Sequence, residues 1–438
     1  MTQSFRRPAP GFLAAALAMT LAGSLAAQQP AQQAPAEEIP HKYVDYTIET
    51  KTASTAFEKV DPKTVGIDPA ALDRLVKRAE ETHSDALVIL KDGKLIGDWR
   101  FGKPAEPIEV MSVTKSVVNV AIGHLVYTGT IRSIDQPVSD FFPAWKEGPK
   151  KDVTLRQVLN HTSGLKANPN AQEVYESRDV LKLALDADLA HPPGTEFFYN
   201  NKAVNLLAGV VEKASGKKLD VYMRDEVFAP LGVRRFQWMR DPAGNPHVMA
   251  GLQLDALDLA KLGQLMLDGG TYRGQRIVSE QWAKESVTAA QTLSPTGGLL
   301  WWVIPEWSKI QVDDAILETW RKGGSETAFL EKVATLKGKP FSQPELFAEL
   351  DRLFGAGKGL EAYMTNVRMK GLPNPKVTAG PAIGFNANGY LGQFIVALTG
   401  PRIVVVRQIR SESHQSDADG FDEITKLARQ LVAAPVAK

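Results

Sequence analysis

The stretch Ala86-Leu87-Val88-Ile89-Leu90-Lys91-Asp92-Gly93-Lys94-Leu95-Ile96 sets two apolar runs on either side of an Asp-Gly pair. Asp-Gly supplies the positive backbone dihedrals of a tight two-residue turn, so the stretch predicts a β-hairpin. A second such pattern lies near the other end of the chain. Gln393 to Leu398 and Ile403 to Ile409 flank a Thr399-Gly400-Pro401 turn, and both runs are rich in Val and Ile. Asp68-Pro69 opens a capped helix over Ala70 to Thr82, ahead of the first hairpin, and Phe421 to Val432 closes the chain as a helix. Helical patterns dominate between the hairpins, among them Ala256 to Leu267, which stops at Gly269-Gly270. Elements from the two ends that each need a partner face predict an α+β fold. It consists of one antiparallel sheet built from both chain ends and flanked by helices, with a helical lobe inserted at about 130–250.

Composition narrows the function classes. The chain has 438 residues, 44% hydrophobic and 23% charged, which is the balance of a globular protein. Lys+Arg number 51 against Asp+Glu 50, so no broad basic face for nucleic acid is predicted. There is no cysteine, which excludes a thiol nucleophile, a disulfide framework and a Cys-ligated metal. Arg6-Arg7, the apolar run Gly11 to Ala22 and the small residues Ser24 and Ala26 form a targeting pattern, read as a signal peptide over 1–26. We therefore expect a bacterial periplasmic or secreted protein with no membrane span once the signal is removed. A flexible leader is expected over 27–56, and one catalytic domain over 57–438.

Three motifs carry chemistry. Ser112-Val113-Thr114-Lys115 opens an apolar helix, and positions i and i+3 share a helix face, so the lysine amine can reach the serine hydroxyl. A serine needs a base to become a nucleophile, and a lysine whose pKa is lowered can be that base. The same spacing recurs at Ser163-Gly164-Leu165-Lys166 and Ser215-Gly216-Lys217-Lys218, so four residues alone prove little; read blandly, Ser112 is a helix cap. Tyr199-Asn200-Asn201 is the single Tyr-x-Asn, set between a Pro-Pro-Gly-Thr turn and an apolar helix. A phenol near lysine and serine can shuttle a proton if an ammonium lowers its pKa from about 10. Asn201 can bind a substrate carbonyl. Gly389-Tyr390-Leu391-Gly392-Gln393 opens the last hairpin and suggests close backbone approach to a ligand. Trp301-Trp302 reads as core or cleft wall, one indole facing each way. His161 reads as structural, tying down the His-Thr-Ser-Gly turn.

Together these motifs resemble the serine β-lactamase and penicillin-recognising superfamily, on its class C side. Within it the chain looks most like the β-lactamase-related serine hydrolases, which include esterases, amidases and aminohexanoate-oligomer hydrolases. Val153 to Leu165, Pro193-Gly194-Thr195, Gly251-Leu252, Asp258 to Gly263 and Gly298 to Trp302 extend the resemblance along the chain. The resemblance implies a β-lactamase/transpeptidase-like fold and an exported serine hydrolase that cleaves ester or amide bonds of a small acyl or peptide-like substrate. Ser112 would be acylated, Lys115 and Tyr199 would activate it, and Asn201 would position substrate. Tyr390, Gly392, Gln393 and Trp302 would line the substrate site, with backbone N–H groups of Ser112 and Gln393 as the oxyanion hole. No metal or organic cofactor is implied.

The chain also departs from the family. The third motif, Lys-Thr-Gly in true lactamases, is here read as Tyr390-Leu391-Gly392, so the cation that grips a β-lactam carboxylate is missing from that position. No Glu-x-x-Leu-Asn occurs either. Both points favour an esterase or amidase over the alternative, a D,D-peptidase, transpeptidase or weak β-lactamase. An extra insertion at about 305–380 is expected either to cap the cleft and set substrate size or to sit away from it.

Overall fold

The computed structural model describes residues 39–49, 56–168 and 171–432; the expected signal segment lies outside them. The strands in chain order begin with β1 (Lys42–Thr47), β2 (Ala86–Lys91), β3 (Lys94–Trp99), β4 (Ile108–Glu109), β5 (Arg235–Arg240) and β6 (Leu252–Leu254). A short hairpin, β7 (Thr271–Tyr272) and β8 (Gln275–Arg276), precedes β9 (Trp302–Pro305). Then come β10 (Ser308–Gln311), β11 (Pro340–Phe341), β12 (Lys376–Ala379), β13 (Ala382–Gly389), β14 (Gln393–Leu398) and β15 (Ile403–Gln408).

β2 and β3 form the first hairpin. Asp92 at φ 51° and Gly93 at φ 73° close it, the two positive angles a right-twisted hairpin needs. The main sheet has the order β3-β2-β15-β14-β13-β9. β15 lies antiparallel to β2, Ala86 opposite Gln408 and Leu90 opposite Val404, so the two chain ends meet in the centre of one antiparallel sheet. Alternation sorts the side chains into two layers. Leu87, Ile89 and Val405 pack against helix α1 (Pro69–Glu81) and the terminal helical turn; Ala86, Val88, Leu90, Val404 and Val406 face the rest of the molecule. Helix α2 (Val113–Tyr127) runs through that inner layer, buried on nearly every side from Val113 to Gly123. Its sequence is mostly apolar, as a helix enclosed by protein must be, and the polar side chains it buries, Lys115, Ser116 and Asn119, are hydrogen-bonded. Helices α3 (Leu206–Ser215) and α4 (Ala256–Leu267) belong to the same core.

Residues 42–47 depart from the expected flexible leader. They form β1, paired along its whole length with β5 in a smaller sheet ordered β1-β5-β6-β4. The reason is visible in Tyr46, whose ring stacks on Phe236 at 4.6 Å and whose hydroxyl donates to Asp220 at 2.8 Å. β4, at the far edge of this sheet, delivers the chain to Ser112 three residues later.

The insertion leaves the main sheet after β9 and returns at β13, its antiparallel neighbour. It carries a three-stranded sheet, β11-β10-β12, and helices α5 (Asp314–Lys322), α6 (Thr327–Ala334) and α7 (Gln343–Phe354). Val312, Leu317, Trp320, Phe329, Leu330, Leu346, Tyr363 and Val367 give it a hydrophobic core of its own, separate from the two layers of the main sheet.

Candidate active site

Ser112 sits at the N-cap position of α2, but its side chain makes no capping bond. Thr114 turns its own hydroxyl back to Met111 O at 2.7 Å, and the Ser112 hydroxyl, which caps no N–H, is left for other partners. Met111 holds the left-handed φ of 49°, an uncommon angle for a side-chain-bearing residue and of the kind that recurs where a fold aims a reactive group. One turn on, Lys115 Nζ donates to Ser112 Oγ at 3.0 Å and to the carbonyl of Met249 at 2.6 Å. Lys115 is almost wholly enclosed, and burial alone pushes its amine well below the ordinary lysine range.

Tyr199 arrives from the opposite side. Its ring lies 4.9 Å from Lys115 Nζ, and its hydroxyl is near enough to Ser112 to feel it electrostatically. Burial pushes the phenol up; Ser112 opposes this but does not overcome it. The sequence-based expectation of an ammonium that lowers the phenol is thus reversed. In this enclosed site the lysine favours its neutral form and the phenol stays protonated. The lysine amine bonds Ser112 Oγ directly, and Tyr199 closes on the same pair from the other side.

His161 fixes this side of the site. Its backbone takes φ 60°, its Nδ1 accepts from Asn200 N at 3.3 Å, and its carbonyl accepts from Phe198 N at 2.9 Å. The imidazole packs 4.6 Å from the Tyr199 ring and is pushed down to about 3 by burial and by Lys115, so it is neutral. Asn200 is spent structurally, its Oδ1 receiving Lys202 N and Ala203 N and its Nδ2 donating to Leu165 O. Asn201 is buried beside it and accepts from Asn205 Nδ2 through its carbonyl; it is not among the residues that line the cleft.

A small cleft, partly open to solvent, lies over these groups. Ser112, Lys115, His161, Phe197, Tyr199, Gly297, Gly298, Trp302 and Asn388 are among its walls. Trp302 lies 6.1 Å from the Tyr199 ring in a near-parallel stack and edge-on to Phe197 at 6.3 Å, whereas Trp301 turns into the core against Phe385.

The 390–392 turn follows directly on Asn388 and Gly389. Leu391 and Gly392 direct their carbonyls to Arg407, each at 2.9 Å, and Gln393 exchanges hydrogen bonds with the backbone of Ile409. Tyr390, Gly392 and Gln393 are not among the cleft-lining residues; the strand that reaches the cleft does so through Asn388 on β13. The next residue, Gly389, meets the nucleophile's own approach, and a Cβ there would lie 2.6 Å from Val110 O. Asn388 and Phe197 were not singled out from sequence. The signal for Asn388 was two amides, Asn386 and Asn388, alternating in an otherwise apolar strand. That for Phe197 was its i, i+2 relation to Tyr199. The Met249 carbonyl that holds Lys115 carries no sequence signal, because it is backbone.

A family model described as Beta-lactamase matches residues 72–331, more than half of the chain. The chain is 28% identical over 281 residues to the 6-aminohexanoate-dimer hydrolase of Paenarthrobacter ureafaciens, covering 58% of this chain and 71% of that protein. It is 25% identical over 335 residues to the N-acetylmuramyl-L-alanine amidase of Bacillus subtilis, covering 57% and 76%. Among solved structures, a Bacillus anthracis protein provisionally assigned as a 6-aminohexanoate-dimer hydrolase superposes with a TM-score of 0.60 at 17% identity, covering 89% of this chain and 91% of that one. At that identity the likeness shows the fold, a β-lactamase-like α+β architecture. Family match, fold and relatives agree: the chain belongs to the beta-lactamase family, whose members include hydrolases.

Proposed function

We propose that this protein is a serine hydrolase that cleaves an ester or amide bond of a small acyl substrate through an acyl-enzyme on Ser112. The observation that carries the reading is the 3.0 Å contact between an uncommitted Ser112 hydroxyl and the amine of a buried Lys115. Neutral Lys115 removes the hydroxyl proton as Oγ attacks the substrate carbonyl carbon. The negative oxygen that forms is met by the Ser112 backbone N–H at the N-terminus of α2 and by the end of β13 at Asn388. Collapse breaks the bond to the leaving group. That group takes a proton from Tyr199, which recovers one from the Lys115 ammonium. Water then attacks the acyl carbon, giving its proton to Lys115, which passes it to Ser112 Oγ as the acyl–oxygen bond breaks, so that acid, hydroxyl and neutral amine are all restored.

β13 reads Ala-Ile-Gly-Phe-Asn-Ala-Asn-Gly and offers no cation for a β-lactam carboxylate, which supports esters and amides over penicillins. The test is a panel of p-nitrophenyl esters, D-amino-acid amides and nitrocefin. We expect turnover of short-chain esters, lowered by roughly a thousandfold or more in Ser112→Ala. Equal turnover by the variant would exclude the reading. Slow turnover with stable penicillin labelling at Ser112 would favour the penicillin-recognising alternative. Export rests on the 1–26 pattern, and N-terminal sequencing of protein from the periplasm or medium tests it.

A further inference from the structure

The insertion supplies no residue to the cleft walls, yet it reaches the segment that carries Tyr199. Arg368 ends the turn Met364–Arg368, directly after the insertion's core residue Val367. Its guanidinium is set 5.3 Å from the ring centroid of Phe198. Arg368 is only 7% exposed. Its Nη1 donates to Asn374 Oδ1 at 3.3 Å, an oxygen that also receives the Tyr363 hydroxyl at 2.8 Å. Its Nε is buried without a partner, and among the described residues no carboxylate pairs with it.

A lone guanidinium is costly to enclose, and an apolar side chain would serve the insertion's own folding better. Among the described residues, the contact outside the insertion that exploits this arginine's charge is the face of Phe198, and a cation over an aromatic ring gains most where water is excluded. Phe198 lies between two cleft residues, Phe197 and Tyr199, and is itself not among the cleft walls, in a segment outside any helix or strand. Whatever grips Phe198 from behind sets how that segment is rotated, and with it the position of the Tyr199 hydroxyl over Ser112.

We propose that Arg368 is a positioning residue. Through Phe198 it holds the Tyr199 segment in register with Ser112, which makes the insertion part of the working site rather than an appendage or a lid. The proposal rests on the acyl-enzyme reading above. The test compares Arg368→Met, Arg368→Lys and Phe198→Leu in the full chain. The readouts are steady-state kinetics on p-nitrophenyl butyrate, the second-order rate of labelling by a fluorophosphonate, and thermal midpoint. Arg368→Met should lower kcat and the labelling rate together by about tenfold or more. KM and the thermal midpoint should change little. Arg368→Lys, which keeps a cation over the ring, should recover to within about threefold of wild type. Phe198→Leu should match Arg368→Met, and the double variant should be no worse than either single one. Should Arg368→Met not fold, Phe198→Leu decides alone. Labelling within about twofold of wild type in either folded single variant, or a double variant whose losses multiply, would overturn the proposal. Turnover and labelling that persist in Ser112→Ala would instead remove the acyl-enzyme reading on which it rests.

Discussion

At the scale of single residues, the site is organised by which protons burial moves. Lys115 is enclosed with one hydroxyl and one carbonyl as hydrogen-bond partners. Its folded pKa is depressed, so the unfolded chain binds that proton more tightly, and stability rises with pH from the folded value up to the unfolded one. Activity needs the neutral amine. The acid limb of kcat/KM should therefore fall well below about 10.4, the ordinary lysine value, and a limb at that ordinary value would contradict this. Lys115→Met removes the base and also the cost of discharging a buried amine. It should abolish turnover while the thermal midpoint holds or rises by a few degrees, and calorimetry against pH should show a flatter dependence than wild type. His161, neutral down to about pH 3, should contribute no titration of its own between pH 5 and 8.

At the scale of elements, β13 and the turn after it show where the sequence was legible and where it was not. The hairpin itself was predicted from its Val/Ile runs and its glycines. Which of its residues meets the cleft was not, because the 390–392 turn looks like a ligand-binding loop yet is bound from behind by Arg407. That arginine is fully buried and donates to Thr82 O, Ser84 Oγ and the carbonyls of Leu391 and Gly392. Arg407→Met would leave these acceptors unpaired, and denaturant titration should show a loss of about 3 kcal/mol or more. Gly389 tests the opposite side of the same strand. Alanine there would drive a Cβ against Val110 O, backbone that cannot swing aside, so Gly389→Ala should lower kcat by at least about tenfold through displacement of Ser112. A kcat within twofold of wild type would show that the nucleophile's approach is not set by this contact. Ser112, Lys115 and Tyr199 were legible because their chemistry is rare in combination. Their burial, which inverts the role expected of the phenol, is a tertiary property with no local signature.

At the scale of the whole molecule, the chain ends build the sheet and the middle of the chain builds the site. Both hairpins declare themselves locally, and their meeting at β2 and β15 follows from the need of each edge strand to pair its backbone N–H and C=O groups. β1 falls within the leader expected over 27–56 from the Gln/Pro/Ala-rich stretch Gln28 to Pro40; its pairing with β5 gives it structure. The insertion, with its own core and with entry and exit on neighbouring strands, is separable in architecture. Replacing residues 306–381 by a short turn should leave a folded sheet by circular dichroism. Turnover of small and bulky esters should fall alike, since no insertion residue lines the cleft; loss confined to bulky esters would restore the idea of a cap.

The most direct measurement is the mass of the enzyme caught during turnover. Acid quenching with p-nitrophenyl butyrate, followed by peptide mapping, should place one butyryl group on the peptide containing Ser112, with none in Ser112→Ala. Turnover without an adduct on that peptide, or an adduct that maps elsewhere, would contradict the account.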